Sequence, residues 1–217
     1  MKRTLALLTV AALSASLAGT SVAAVKKPAP PKPVKLTYYF HGTSALGNQE
    51  QAGLPGPLMK MDATKPTGTQ DKTFVVYGLG VTPNSDCAGN SLYPNWVGAA
   101  SGTATGTATV SFYAAGTPTS QAVVRLFADT EAQACNDAYP TPLGEATVTL
   151  PASPGLVTVQ IPITKTGKNP GKLSSSFTVQ LSVPLVAPQG AMIRYDSTTS
   201  PSSVTITCIP KVGKKTC

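Results

Sequence analysis

Along most of the chain, apolar and polar residues change places at every step. Ala108, Val110 and Phe112 alternate with Thr107, Thr109 and Ser111. Val157, Val159, Ile161 and Ile163 alternate with Thr158 and Gln160, and Phe177, Val179, Leu181 and Val183 with Thr178, Gln180 and Ser182. A period of two puts one set of side chains against a core and the other in solvent, as in a strand covered on one side. Shorter stretches of the same kind lie in TYYFH, TFVVYGL, AVVRLFAD, EATVTL, AMIRYD and SSVTITCI. Gly, Pro, Ser, Asn and Asp fill the segments between them. No window has a helical period, and 20 prolines and 19 glycines weigh against long helices. The pattern predicts an all-β domain, an antiparallel β-sandwich with a jelly-roll-like order and about nine or ten strands.

The ends of the chain break this rhythm. Lys2 and Arg3 precede an apolar run from Leu5 to Ala18, and the small residues Val22 and Ala24 follow. The run is shorter than the roughly 18 to 20 residues of a membrane helix, so residues 1–24 read as a secretory signal peptide cleaved near Ala24. A lipoprotein signal would need cysteine after SLAG, where the chain has Thr20, so no lipid anchor and no membrane span is expected. Residues 25–35, VKKPAPPKPVK, form a Lys/Pro-rich leader whose composition favours extended polyproline II over packing. The sandwich is expected over 36–210, with a basic tail over 211–217.

Charge follows the same division. The formal net charge is +8, yet nine of the 17 Lys and Arg lie outside Leu36–Pro210, leaving eight there against all nine Asp and Glu. The body is close to neutral and lacks the basic stripe with interleaved aromatics that nucleic-acid binding requires. The lysines at the two ends read as solubilising tails or as electrostatic contacts with an anionic cell envelope.

Four cysteines, Cys87, Cys135, Cys208 and Cys217, in an exported chain without C-x-x-C pairs imply disulfides and not zinc. Three connectivities are open. Cys208 with Cys217, near in sequence, and Cys87 with Cys135, both in long polar loops, is the favoured pairing. The single histidine, His41, precedes a glycine as an oxyanion-hole corner would. A hydrolase of that type also needs a G-x-S-x-G elbow between a strand and a helix, which this chain lacks. No acid or serine is marked in sequence as a partner, so His41 is expected at a strand end, and no catalytic residue is assigned.

The segments SGTATGTATVSFYAAG, AVVRLFADT and FTVQLSVPLVAPQGAMIRYDSTTSPSSVTI together resemble the strand sequence of galactose-binding-like jelly-roll domains. They are similar in particular to the C-terminal β-domain of the X-Pro dipeptidyl-peptidase and cocaine-esterase type hydrolases, and to uncharacterised modules of secreted bacterial proteins. The resemblance runs from about Gly98 to Ile209 and leaves Tyr38 to Trp96 without a counterpart. In those hydrolases catalysis belongs to a separate α/β domain, so the resemblance implies an accessory module and transfers no catalytic residue. It also implies that loop carboxylates could hold structural calcium, for which Asp129, Glu131 and Asp137 are the weak candidates. Their spacing matches no EF-hand, and a solvated loop is the plainer reading; no other cofactor is expected.

Three classes of function follow. The first is a secreted, non-catalytic module binding extracellular glycan or envelope polymer. The second is a structural or protein-interaction domain of the cell surface, and the third a hydrolase. A glycan site is expected on one rim, where Tyr93, Trp96 and Tyr139 lie near Asp86, Asp129 and Asp137 if a Cys87–Cys135 bridge holds their loops together. Aromatic faces pack on sugar C–H groups while carboxylates accept hydroxyl hydrogen bonds. The competing reading places Trp96 in the core and leaves the acids solvated.

Overall fold

The computed structural model of the chain describes residues 29–42, 45–46, 58–77, 95–116, 120–128, 142–164, 171–182 and 190–217. Residues 1–24, expected from the sequence to be a signal peptide, lie outside them. The described residues contain strands and turns only. There are thirteen strands: β1 (Val34–His41), β2 (Ala45–Leu46), β3 (Leu58–Asp62), β4 (Lys72–Tyr77), β5 (Asn95–Ala99), β6 (Gly102–Gly116), β7 (Gln121–Phe127), β8 (Gly144–Thr149), β9 (Gly155–Pro162), β10 (Lys172–Leu173), β11 (Ser176–Ser182), β12 (Gly190–Tyr195) and β13 (Ser203–Pro210).

The hydrogen-bonded order is β2-β4-β12-β6-β13-β1-β3-β5-β11-β7-β8, and β9 and β10 also pair with β6. Strand β6 organises the sheet, with β13 along Gly102–Ser111 and β12 along Tyr113–Gly116 on one side, and β9 along Thr107–Ala114 on the other. The sheet curls over on itself. The ring of Tyr38 on β1 meets that of Phe177 on β11 edge-on at 5.1 Å, although two strands lie between theirs in the order. At the far margin β8 returns to β9, where the Thr164 amide donates to the Leu143 carbonyl at 2.7 Å. Both inner faces therefore feed one core, and the architecture is the β-sandwich that the alternation predicts.

Inward residues match the alternation: Ala108, Val110 and Phe112 are buried, as are Val157, Val159 and Ile161, and Phe177, Val179 and Leu181. The sheet differs from the expectation in two respects. Pairs β2–β4 and β3–β5 run parallel. Strands β2, β3, β5 and β10 also add to those read from the sequence. Each is two to five residues long, and neither β3 (LMKMD) nor β5 (NWVGA) shows a sustained alternation of apolar and polar residues. In β5, Gly98 serves packing, because a Cβ there would lie 2.9 Å from Met61 Cγ and 3.1 Å from Phe177 Cε1.

Trp96 has no exposed surface, which corrects its assignment to a binding rim. It is the second residue of β5 and faces inward, with its ring stacked on Phe40 at 4.5 Å and met edge-on by Tyr195 at 5.3 Å. Burial of so large an aromatic against two others makes it a core element, out of reach of a surface-bound sugar.

At the opposite end of β1, a disulfide joins Cys208 on β13 to Cys217, as the short sequence spacing predicts. The Ser101 amide donates to the Cys217 carbonyl at 2.6 Å, so the tail is held beside the start of β6. Gly102 makes this possible. A Cβ at that position would meet Ile209 O at 2.5 Å, Cys208 Sγ at 2.8 Å and Cys217 Sγ at 3.0 Å.

Candidate functional site

Strand β1 ends at His41 because Gly42 must pass closely over its neighbours: a Cβ there would lie 3.0 Å from Met59 Cγ and 3.2 Å from Tyr195 Oη. Beside it, β12 ends at Tyr195, and Asp196 takes a left-handed backbone with φ of 60°. Aspartate tolerates that region better than most residues because its short polar side chain bonds locally. The turn brings its carboxylate over the end of β1. Asp196 Oδ1 lies 2.6 Å from His41 Nδ1, and Oδ2 accepts from the Gly42 amide at 3.2 Å.

The other ring nitrogen, His41 Nε2, faces the Thr64 carbonyl at 3.0 Å and Asp62 Oδ1 at 3.3 Å. Both ring nitrogens therefore face oxygen acceptors. The predicted strand-end position is thus correct, while the acid partners, Asp196 and Asp62, come from segments far away in sequence. Asp62 also pairs with Lys60 Nζ at 2.6 Å and accepts from the Thr64 amide at 2.8 Å. The Lys60 contact, followed by the Thr64 amide, holds its carboxyl well below the usual carboxylate range.

A second network braces the site from below. Ser197 Oγ donates to Asp71 Oδ1, Thr199 Oγ1 reaches the same oxygen at 3.1 Å, and Arg194 Nη1 lies 3.7 Å from Oδ2. Partial burial pushes the Asp71 carboxyl upward, but the hydroxyls of Ser197, Ser200 and Thr199 and the Arg194 charge outweigh it and hold it below its ordinary value. Ser197, Ser200 and Ser202 are buried, and Ser202 ties three segments together. Its hydroxyl donates to the Arg194 carbonyl at 2.8 Å, and its carbonyl accepts from the Phe40 amide at 2.9 Å. Burial, with the neighbouring Asp196 charge, pushes the Tyr195 hydroxyl well above the ordinary phenol range, and that hydroxyl donates to Met59 Sδ at 3.0 Å.

Between these networks opens a groove of about 470 Å³, lined by His41, Lys72, Asp196 and the loop Thr64–Gln70. The Thr198 amide donates to the Gly68 carbonyl at 2.8 Å, fixing the loop to the β12–β13 connection. Thr64, Lys65, Thr67, Thr69 and Gln70 are exposed, while Pro66 is buried and anchors them. The walls present hydroxyls, an amide, two ammonium groups and a carboxylate on a backbone already held in place.

Of the residues expected to form a glycan rim, Tyr93, Tyr139, Asp86, Asp129 and Asp137 lie outside the described residues, as do Glu131, Cys87 and Cys135. The flanking strands run in one direction: β5 opens at Asn95 toward the His41 end, and β7 closes at Phe127 toward the disulfide end. Among the described residues no three His, Cys, Asp or Glu side chains converge as a metal site, and no helix is long and apolar enough to cross a membrane. The groove itself was not legible in the sequence. Its one signal was the hydroxyl-rich DSTTSPSS after AMIRY, which composition alone presents as a solvated turn.

No protein-family model matches the sequence, and no curated protein does either. Solved structures resemble the fold at low identity. An aminopeptidase from the marine sediment archaeon Thaumarchaeota archaeon is 10% identical over 82% of this chain and 37% of its own, with a TM-score of 0.47. An alpha-amino acid ester hydrolase is 13% identical over 81% of this chain and 36% of its own, with a TM-score of 0.45. A carbohydrate-binding module specific for non-crystalline cellulose, CBM28, is 12% identical over 73% of this chain and 85% of its own, with a TM-score of 0.40. This chain thus spans little more than a third of the two hydrolases. These likenesses attach no role to any residue of this chain.

Proposed function

We propose that this protein is a secreted, non-catalytic module that binds glycan or envelope polymer through the groove beside His41. The observation that carries the reading is the composition of that groove: Thr64, Thr67, Thr69 and Gln70 offer hydroxyl and amide groups, flanked by Lys65, Lys72 and Asp196, in about 470 Å³. That is room for a short stretch of a sugar chain, and the donors and acceptors are the kind that pair with sugar hydroxyls. The brace under the loop supports a binding role, because a site held in shape before its ligand arrives loses less entropy on binding. His41 is engaged on both ring nitrogens by oxygens of Asp196, Asp62 and the Thr64 backbone, which supports a part in holding the groove wall in shape. The Cys208–Cys217 disulfide suits an oxidising, extracellular setting. Tyr93, two residues ahead of β5, remains a proposed aromatic contact of this groove and Asp86 a proposed carboxylate; Asp129, Asp137 and Tyr139 belong to the connection between β7 and β8, which join at the disulfide end, and are not proposed for it.

The test is retention on insoluble neutral polysaccharides, with Thr67→Val combined with Gln70→Ala as the groove variant. Both side chains are exposed, so the variant should melt with the wild type. Loss of two hydrogen bonds at about 1 kcal/mol each should weaken retention by roughly 30-fold. Equal retention of the two proteins, or retention of neither on any glycan, would remove the reading.

A further inference from the structure

The two lysine-bearing ends of the sequence meet in space. Val34 on β1 lies opposite Cys208 on β13, Lys35 opposite Thr207, and Lys172 on β10 opposite Thr103 on β6. The disulfide and the Ser101 amide bond fold the tail back over the same end, where Lys211 Nζ reaches the Ser174 carbonyl at 3.4 Å. Lys32, Lys35, Lys172, Lys211, Lys214 and Lys215 therefore share one pole, all exposed. Three of the four acids among the described residues, Asp62, Asp71 and Asp196, surround the groove, and the fourth, Glu145, is neutralised by its partner Arg125 at 3.0 Å. From Lys35 to His41 the strand climbs about 20 Å, more than two screening lengths at physiological salt, about 8 Å each. The pole and the groove are electrically separate.

The sheet face beside the lysines is a grid of hydroxyls. Its rows follow the register: Lys35, Thr207 and Thr105; then Thr37, Thr205, Thr109 and Gln160; then Tyr39, Ser203, Ser111 and Thr158. Thr37 Oγ1 and Thr205 Oγ1 are 2.9 Å apart, and Thr109 Oγ1 donates to Gln160 Oε1 at 3.0 Å. Neighbouring strands space these groups by about 4.8 Å.

We infer that this pole and its hydroxyl face form a second binding surface, independent of the groove, whose partner is an acidic polysaccharide. Ammonium groups at the pole meet the anionic substituents, and the hydroxyl rows meet the sugar hydroxyls beside them. The composition separates this partner from other polyanions. A nucleic-acid strand calls for a series of aromatic stacking platforms among the cations, and the described residues place none among the lysines, the aromatic of these rows being Tyr39, four residues along β1 from Lys35. A bilayer surface calls for a broad apolar face, and Val212 is the one large apolar side chain exposed there.

Polygalacturonate and its fully methyl-esterified form share a sugar and differ in charge, so affinity electrophoresis of the purified protein against both is the direct probe. Binding to polygalacturonate at 20 mM salt, falling at least tenfold at 300 mM and absent for the ester, is expected. Lys35→Gln, Lys172→Gln, Lys214→Gln and Lys215→Gln together should cost tenfold or more, and Thr37→Val with Thr205→Val several-fold. The groove variant Thr67→Val, Gln70→Ala should bind polygalacturonate as the wild type does, so this surface and the groove stand or fall separately. Equal binding to the ester, or an unaffected lysine variant, overturns the proposal. So does an unaffected threonine variant, or tighter binding to oligo(dT) or phosphatidylglycerol vesicles at the same salt.

Discussion

Opening the Cys208–Cys217 disulfide by Cys217→Ser tests how the tail is held. The bond closes a loop across a sequence separation of nine, and chain-entropy reasoning assigns such a loop about 2.7 kcal/mol through restriction of the unfolded state. Cys217 is only half-buried, so serine should add little desolvation cost, and the buried Cys208 thiol stays shielded. A loss of about 3 kcal/mol therefore corresponds to a melting temperature lower by roughly 6 to 12 °C for a domain of this size. Trp96 is the single tryptophan and is fully buried, so guanidinium unfolding followed by its emission reads the whole core. The variant should show a lower midpoint with a slope equal to or slightly above that of the wild type, because the bond restricts only a short stretch of the unfolded chain. A difference under 1 kcal/mol would show that the Ser101 amide bond and the Lys211–Ser174 contact already fix the tail. A difference above about 5 kcal/mol would show that the change disturbs the packing of Gly102 against both sulfurs, and the loop-entropy account would be wrong.

Phe40→Ala removes the ring stacked on Trp96 and should destabilise by about 3 to 5 kcal/mol, with Trp96 emission shifting to the red; an unchanged spectrum would contradict the stacking. Gly144→Ala would place a Cβ 2.2 Å from the Pro162 carbonyl oxygen and should cost about 1 to 3 kcal/mol, seen as an earlier thermal midpoint. Asp62 and Asp71 have folded-state values below their unfolded ones. Their contribution is fully present above the unfolded carboxylate value of about 4 and is lost as pH falls through it toward the folded values. A stability profile from pH 7 to 2 should decline in that window, and Asp62→Asn should flatten it; a parallel decline in the variant would exclude Asp62 as a source. Neutral glycan bound in the groove should leave Trp96 emission unchanged, because the ring is sealed in the core, and a ligand-dependent shift would count against that burial.

The alternation of apolar residues made the core legible because period two has one consequence for a pleated strand: Val110, Val159 and Val179 had to face the same way as their neighbours at i±2. Trp96 was ambiguous for the same reason. One aromatic in the short segment NWVGA shows no period, and only pairing with Met59 and Val179 reveals which face is inward. The groove was hidden more deeply. His41, Asp62, Asp71 and Asp196 are single polar residues at strand ends, and what joins them is the register of β1 with β3 and the left-handed turn at Asp196, both tertiary properties. Lys172 belonged to the neutral body in sequence, yet β10 pairing carries it to the basic pole.

The last strand of the sequence is an inner strand of the sheet, with β6 on one side and β1 on the other. The side of β1 that faces away from β3 therefore waits for the latest strand before its hydrogen bonds can close, and the two halves of the sheet that meet at β13 join only when the end of the chain is present. Such non-local pairing is slow to form. The same arrangement makes the domain intolerant of shortening: removing β13 takes the middle out of the sheet, exposing the facing edges of β6 and β1 as templates for association with other chains.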